Sequence, residues 1–183
     1  MENYKPVLKR GITMGILSIL IFVVVYAIDP MFFAKPKGWI LSLGVNLIAL
    51  PIVFMILGAR DCKANFSPYK FGNAFNAAFF TGVTSSLVML LFMIVFVTVI
   101  DPAWEAELSE AVVESTMEMM EKFGASEDDI EKAMEQAKEK IAKQPTGIVK
   151  QFMGTGQGLV WYAILALIIG AVQKDKKQEE LID

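Results

Sequence analysis

Histidine is absent from the 183 residues, and with it the commonest general base and the commonest transition-metal ligand. Cys62 is the single cysteine, which excludes an intrachain disulfide, a CxxC redox pair and a thiolate zinc site. Charged residues make up 20% of the chain, yet none falls in four long stretches, 11–28, 39–58, 71–100 and 151–173. Ion-coupled carriers and proton pumps keep an ionisable group at mid-membrane despite an insertion cost of about 2.5–3.5 kcal/mol, because the group does work there. These stretches hold none. Ser85 and Ser86 lack a base, so hydrolytic chemistry has no evident machinery either.

What remains is apolar: 55% of the residues, with a mean hydropathy of +0.49, more than a soluble domain of this length can bury. The pattern implies an all-α membrane protein, a single membrane domain over 1–183. Four transmembrane helices pair as two hairpins, with spans at about 11–28, 39–58, 77–100 and 151–173 and an amphipathic helical hairpin at 102–144 between the third and fourth. The first 18-residue run would cover about 27 Å, enough to cross with snorkelling flanks. It lacks a small-x-small cleavage site and is expected to be retained. Stretch 71–100 exceeds what a bilayer needs, so its first turns are expected in the interface. The fourth span carries Gln151, Thr155, Gln157 and four glycines, and should insert least well alone.

Segments 1–10, 59–70 and 173–183 hold nine basic residues in 33, against eight in 60 for segments 29–38 and 101–150. The first set sums to +3 and the second to −6. Basic density marks the cytoplasmic side, so both termini are expected in the cytoplasm with the acidic hairpin outside. Cys62, in a cytoplasmic loop on this reading, should label with maleimide only after permeabilisation. Ile28-Asp29-Pro30 recurs as Ile100-Asp101-Pro102, and Ile56-Leu57-Gly58-Ala59 resembles Ile168-Ile169-Gly170-Ala171. Either a two-helix unit is duplicated, or aliphatic runs align by chance.

The hairpin reads as two helices. Pro102 opens the first near N1, with Trp104, Leu108, Val112, Met119 and Phe123 as its stripe and Gly124 as its stop. Ser126 caps the second, whose stripe is Ile130, Ala133, Met134, Ala137 and Ile141, and Pro145 and Gly147 end it. The stripes are expected to pack on each other or to bind a partner, Met117, Met119, Met120 and Met134 offering adaptable contacts. An acidic polar face argues against a lipid-surface role. Glu114, Glu118 and Glu121 share a helix face, which is ordinarily solvated rather than metal-binding. Small-residue spacings, Gly11-x-x-x-Gly15, Ala74-x-x-x-Ala78-x-x-x-Gly82 and Gly154-x-x-x-Gly158, are read as helix-packing faces. Asn46 and Pro51 in span two are a candidate polar break, since proline frees a carbonyl and an amide can line it, or else a satisfied bond beside a kink. Asp29 and Asp101 are read as turn residues beside proline.

Arg60-Asp61 after span two, Ser67-Pro68-Tyr69-Lys70-Phe71-Gly72-Asn73-Ala74-Phe75 into span three, Ile100-Asp101-Pro102, the methionine-rich acidic segment with Gly124-Ala125-Ser126-Glu127-Asp128-Asp129-Ile130, and the Ile-Gly-Ala exit to a lysine tail form an ordered set. The set resembles the bacterial family known as domain of unknown function 4199. That resemblance implies a small four-span inner-membrane protein and supplies no activity or catalytic residue. The expectation is therefore a non-enzymatic integral membrane protein whose partners are the lipid bilayer and, through the hairpin, an envelope protein. The alternative is a small transporter or channel subunit acting as a homo-oligomer, using Asn46, Pro51 and the polar start of span four. No catalytic residue, cofactor, metal or nucleic-acid partner is expected.

Overall fold

The computed structural model describes residues 2–175; the end of the lysine tail, 176–183, lies outside the described residues. All its regular elements are helical: α1 (Lys5–Ile28), α2 (Pro36–Lys63), α3 (Phe71–Ile100), α4 (Trp104–Lys122), α5 (Glu127–Lys143) and α6 (Gly147–Gln173). Helices α1, α2, α3 and α6 are long and apolar enough to cross a membrane, and α6 is the least apolar of them. The chain is thus an all-α membrane protein. The helices run past the uncharged stretches, so Lys5, Lys9 and Arg10 stand in the end turns of α1 and Arg60, Asp61 and Lys63 in the last turn of α2. The first turns of α3, expected in the interface, are helical and packed, with Ala74 and Ala77 fully buried.

Helix α3 is the centre of the bundle and packs on α1, α2 and α6, whereas α1 and α6 stay apart. Exchanging the two hairpins by a two-fold axis would make the α2–α3 and α1–α6 pairs equivalent. They are not, so the sequence repeat has no counterpart in symmetric packing. Close approach depends on glycine where α1 crosses α3: a Cβ on Gly11 would stand 2.5 Å from Thr84 Cβ and 2.7 Å from the Thr81 carbonyl oxygen. Gly15 meets Val88 in the same way, and Gly82 accommodates the Tyr162 ring.

One end of the bundle is tightly closed. Met55, Ala59, Cys62, Ala74, Ala77, Ala78 and Ala166 are 0% exposed there, and Tyr69 folds over them with its hydroxyl donating to the Ala59 carbonyl oxygen at 2.6 Å. Arg10 pairs with Asp61 at 2.7 Å and Lys63 with Asp175 at 2.9 Å, while the Tyr69 N–H donates to Asp175 at 2.8 Å. The Lys63 ammonium and that N–H hold the Asp175 carboxyl below its ordinary pKa. The start of α1, the 64–70 loop and the exit of α6 therefore share one end. Cys62 is completely buried, which corrects the labelling expectation: its silence toward maleimide reports packing, not sidedness.

At the other end the two Asp-Pro turns sit side by side, and each aspartate caps its own turn. Asp29 accepts from the Met31 N–H at 3.1 Å and from the Lys35 ammonium, which lowers its pKa; Asp101 accepts from the Trp104 N–H at 3.1 Å. Tyr26 donates to Asp101 at 2.7 Å, and the Trp104 indole donates to the Pro30 carbonyl oxygen at 3.0 Å. Between these bonds, Phe22 stacks on Phe33 and meets Phe96 and Trp104 edge to face, with ring centroids 5.0–5.5 Å apart.

The hairpin lies at this end. Gly124 adopts φ +80° and stops α4, and Ser126 Oγ accepts from the Asp129 N–H at 3.2 Å to open α5, as its sequence implies. Pro102 does not open α4 itself; Asp101 and Ala103 do, three residues and one residue before the first helical residue, Trp104. Helices α4 and α5 pack on each other, with the whole α5 stripe half-buried. The α4 stripe departs from expectation. Leu108 and Val112 are half-buried, but Met119 is 42% and Phe123 85% exposed, because this face of α4 lies over the first outer turn rather than over α5.

Candidate functional site

Between the spans, from mid-bundle to the hairpin end, lies a cavity of about 410 Å³. Every span contributes polar side chains to its wall: Ser18 from α1, Ser42 and Asn46 from α2, Ser85 and Ser86 from α3, and Gln151, Thr155 and Tyr162 from α6. Phe22, Phe33, Met89, Leu90, Met93 and Trp104 supply the apolar remainder, and no charged side chain lines it. Such a volume suits a small molecule.

The cavity exists because the outer half of α2 stands away from its neighbours. Residues 50–63 pack on α1, α3 and α6, while 43–49 form a π-helical stretch with no buried residue. Proline explains the change. Pro51 has no N–H to give the Leu47 carbonyl oxygen and its ring crowds that carbonyl, so the preceding turns widen and the Leu50 N–H bonds to Val45 instead. The freed Leu47 oxygen accepts from the Trp161 indole at 2.8 Å. Both halves of the sequence reading of Asn46 and Pro51 meet here: the carbonyl is satisfied across the bundle, but the amide is not. Asn46 Oδ1 is buried and accepts no hydrogen bond.

Gly154-x-x-x-Gly158 faces this space, which corrects its reading as a packing face. A Cβ on Gly154, Gly156 or Gly158 would meet nothing within 4 Å, and Gly154 and Gly158 line the cavity. Spacing identical to Gly11-x-x-x-Gly15 thus serves opposite ends. The contrast is testable: Gly11→Ala should destabilise the protein by about 1–3 kcal/mol through overpacking. Gly154→Ala should stabilise it by about 0.5–1 kcal/mol through helix propensity alone. Equilibrium unfolding in mixed micelles would read both, and a loss at Gly154 equal to that at Gly11 would contradict the open wall.

Glu105, outside the lining, holds the lining residue Gln151, and no sequence motif marks it. It is 8% exposed, accepts from the Gly147 N–H at 2.8 Å and from Gln151 Nε2 at 2.5 Å, and so caps α6, whose own Thr146 supplies no side-chain cap. Its partners lie 42 and 46 residues downstream, so no local pattern announces them. Ser86 pairs with Tyr162, and Thr155 donates to its own helix at Gln151. Glu114, Glu118 and Glu121 are exposed, with Glu118 3.5 Å from Lys122, and among the described residues no group of three acidic or thiol side chains converges on a metal position. Met117 and Met120 are half-buried in the hairpin, as is Met134.

A family model described as "protein of unknown function (DUF4199)" matches residues 9–175. No curated protein and no solved structure matches the chain.

Proposed function

Since the chain belongs to this DUF4199 family of four-span proteins, whose membership names no reaction, we propose from the cavity that it is a non-enzymatic membrane receptor for a small uncharged molecule. One observation carries the reading: Asn46 lines the cavity between the spans, and its Oδ1 is buried and accepts no hydrogen bond. Leaving a buried acceptor unsatisfied costs about 1–3 kcal/mol, and a ligand hydroxyl or amide N–H recovers it. Hydroxyl and amide groups without charge select a neutral hydrogen-bonding ligand, and Phe22, Met89 and Met93 favour an apolar portion beside its donor. Ser85 and Ser86 have no carboxylate, lysine or other base in the lining, which speaks for binding without chemistry.

The family resemblance supports a bacterial inner membrane, and basic-residue density supports cytoplasmic termini with the hairpin periplasmic. The ligand then enters from the periplasmic half, because the cytoplasmic half is closed by the fully buried cluster around Met55 and Ala78. A transporter or oligomeric channel subunit would have to open that cluster. The exposed acidic face of the hairpin is left for an envelope partner, with seven net negative charges over 102–144.

Thermal-shift measurements on the detergent-solubilised chain, against a panel of uncharged alcohols and amides with charged analogues as controls, test the binding reading. A neutral compound should stabilise the wild type and not Asn46→Leu, which should itself unfold no earlier than wild type. Equal responses in both proteins, or stabilisation by charged analogues alone, would overturn it.

A further inference from the structure

We propose that the tip of the α4–α5 hairpin is anchored in the outer leaflet of the bilayer, with Phe123 as the inserted side chain. The direction of α4 points there, whatever the cavity binds. Trp104, at its first residue, is held among Phe22, Phe96 and the Pro30 carbonyl. Met119 lies fifteen residues on, about 22 Å along a helix. Yet Met119, Val112 and Thr116 share a groove of about 250 Å³ with Ala34 of the first outer turn and with Trp39 and Ile40 of the first turns of α2. A helix rising along the membrane normal would carry Met119 far from Trp39. Helix α4 therefore runs across the end of the bundle, over the first outer turn, toward the rim formed by α2.

Phe123 is four residues beyond Met119, on the same helical face, one turn further out. It is the most exposed large apolar side chain among the described residues, 85% accessible. The surface it continues is the lipid-facing side of α2, where Trp39 is 60% and Ile40 73% exposed, and that continuity identifies the occupant as lipid. Tryptophan at the end of a span marks headgroup depth, which is where the α4 face meets it. The acidic polar face argued against surface binding when the stripes were read as whole helices. Here only Phe123 inserts and the α5 stripe is half-buried in the hairpin, while the exposed Glu121, Glu127, Asp128 and Asp129 flank it at the tip. Their sign predicts a preference for zwitterionic over anionic lipid.

The test uses the full chain in vesicles. Phe123→Cys and, as a solvent-facing control, Glu131→Cys are labelled with an environment-sensitive nitrobenzoxadiazole dye, fully buried Cys62 serving as the unlabelled background. In phosphatidylcholine vesicles the dye at 123 should emit at shorter wavelength and be quenched by a shallow chain nitroxide, with iodide quenching several-fold weaker than at 131. Replacing a third of the lipid with phosphatidylglycerol should reduce that difference. Equal iodide quenching at both positions would overturn the proposal. So would protection at 123 that vanishes as the lipid-to-protein ratio rises, since that outcome assigns the patch to a second copy of the chain.

Discussion

Trp104→Ala is expected to cost about 3–5 kcal/mol, the range for deleting a packed aromatic that the surroundings cannot refill. The loss has three parts: the edge-to-face contacts with Phe22 and Phe96, the indole bond to the Pro30 carbonyl, and the cavity left between two Asp-Pro turns. Trp104 is the link through which α1, the first outer turn, α3 and the hairpin hold one another, so its removal should also release α4. Unfolding in mixed micelles would measure the stability. Hydrogen exchange should show α4 and α5 losing protection while the closed end, around Ala78 and Ala166, keeps it. Uniform loss of protection throughout the bundle would mean that the aromatic cluster is not a local tie.

Glu105 is the neighbouring tie, directed to the other side of the site. Glu105→Ala removes the acceptor for both the Gly147 N–H and the Gln151 amide, and uncaps the helix that carries Gly154 and Thr155. Bonds to a carboxylate contribute about 1.5–3 kcal/mol each when made, so a loss of about 3 kcal/mol is expected. Glu105→Gln keeps an acceptor for one donor and should lose roughly half as much. Wild-type stability in the alanine variant would show that Gly147 and Gln151 find other partners. Trp104 and Glu105 are adjacent, so the double variant should fall short of the sum of the two.

The hairpin helices were legible in sequence because their stops are local: Gly124 at φ +80° and Ser126 bonded to Asp129 lie within a few residues of what they terminate. The four spans were legible because a bilayer demands length and apolarity, and both are additive along the chain. Pro51 announced a freed carbonyl, though not that Trp161, 114 residues from Leu47, would satisfy it. Where sequence reasoning failed, the deciding partner was distant. Gly154-x-x-x-Gly158 and Gly11-x-x-x-Gly15 share a spacing, but only α3 approaches the second; the Pro51 distortion carries α2 away from the first. The exposure of Phe123 is not legible because amphipathic spacing places it on a stripe without saying which neighbour that stripe will face. Cys62 reads as a cytoplasmic-loop residue because nothing local shows that Tyr69 folds back over this end.

The cavity is proposed to open toward the membrane face that carries the acidic hairpin, with both chain ends on the other face. Single cysteines at Thr155, Glu131 and Ala64, read with a small membrane-impermeant methanethiosulfonate on intact spheroplasts, test it most directly, since native Cys62 is buried and silent. Reaction at 155 and 131 before permeabilisation, and at 64 only afterwards, is the result expected. Reaction at 64 first, with 131 and 155 protected, would contradict the orientation and the route into the cavity together.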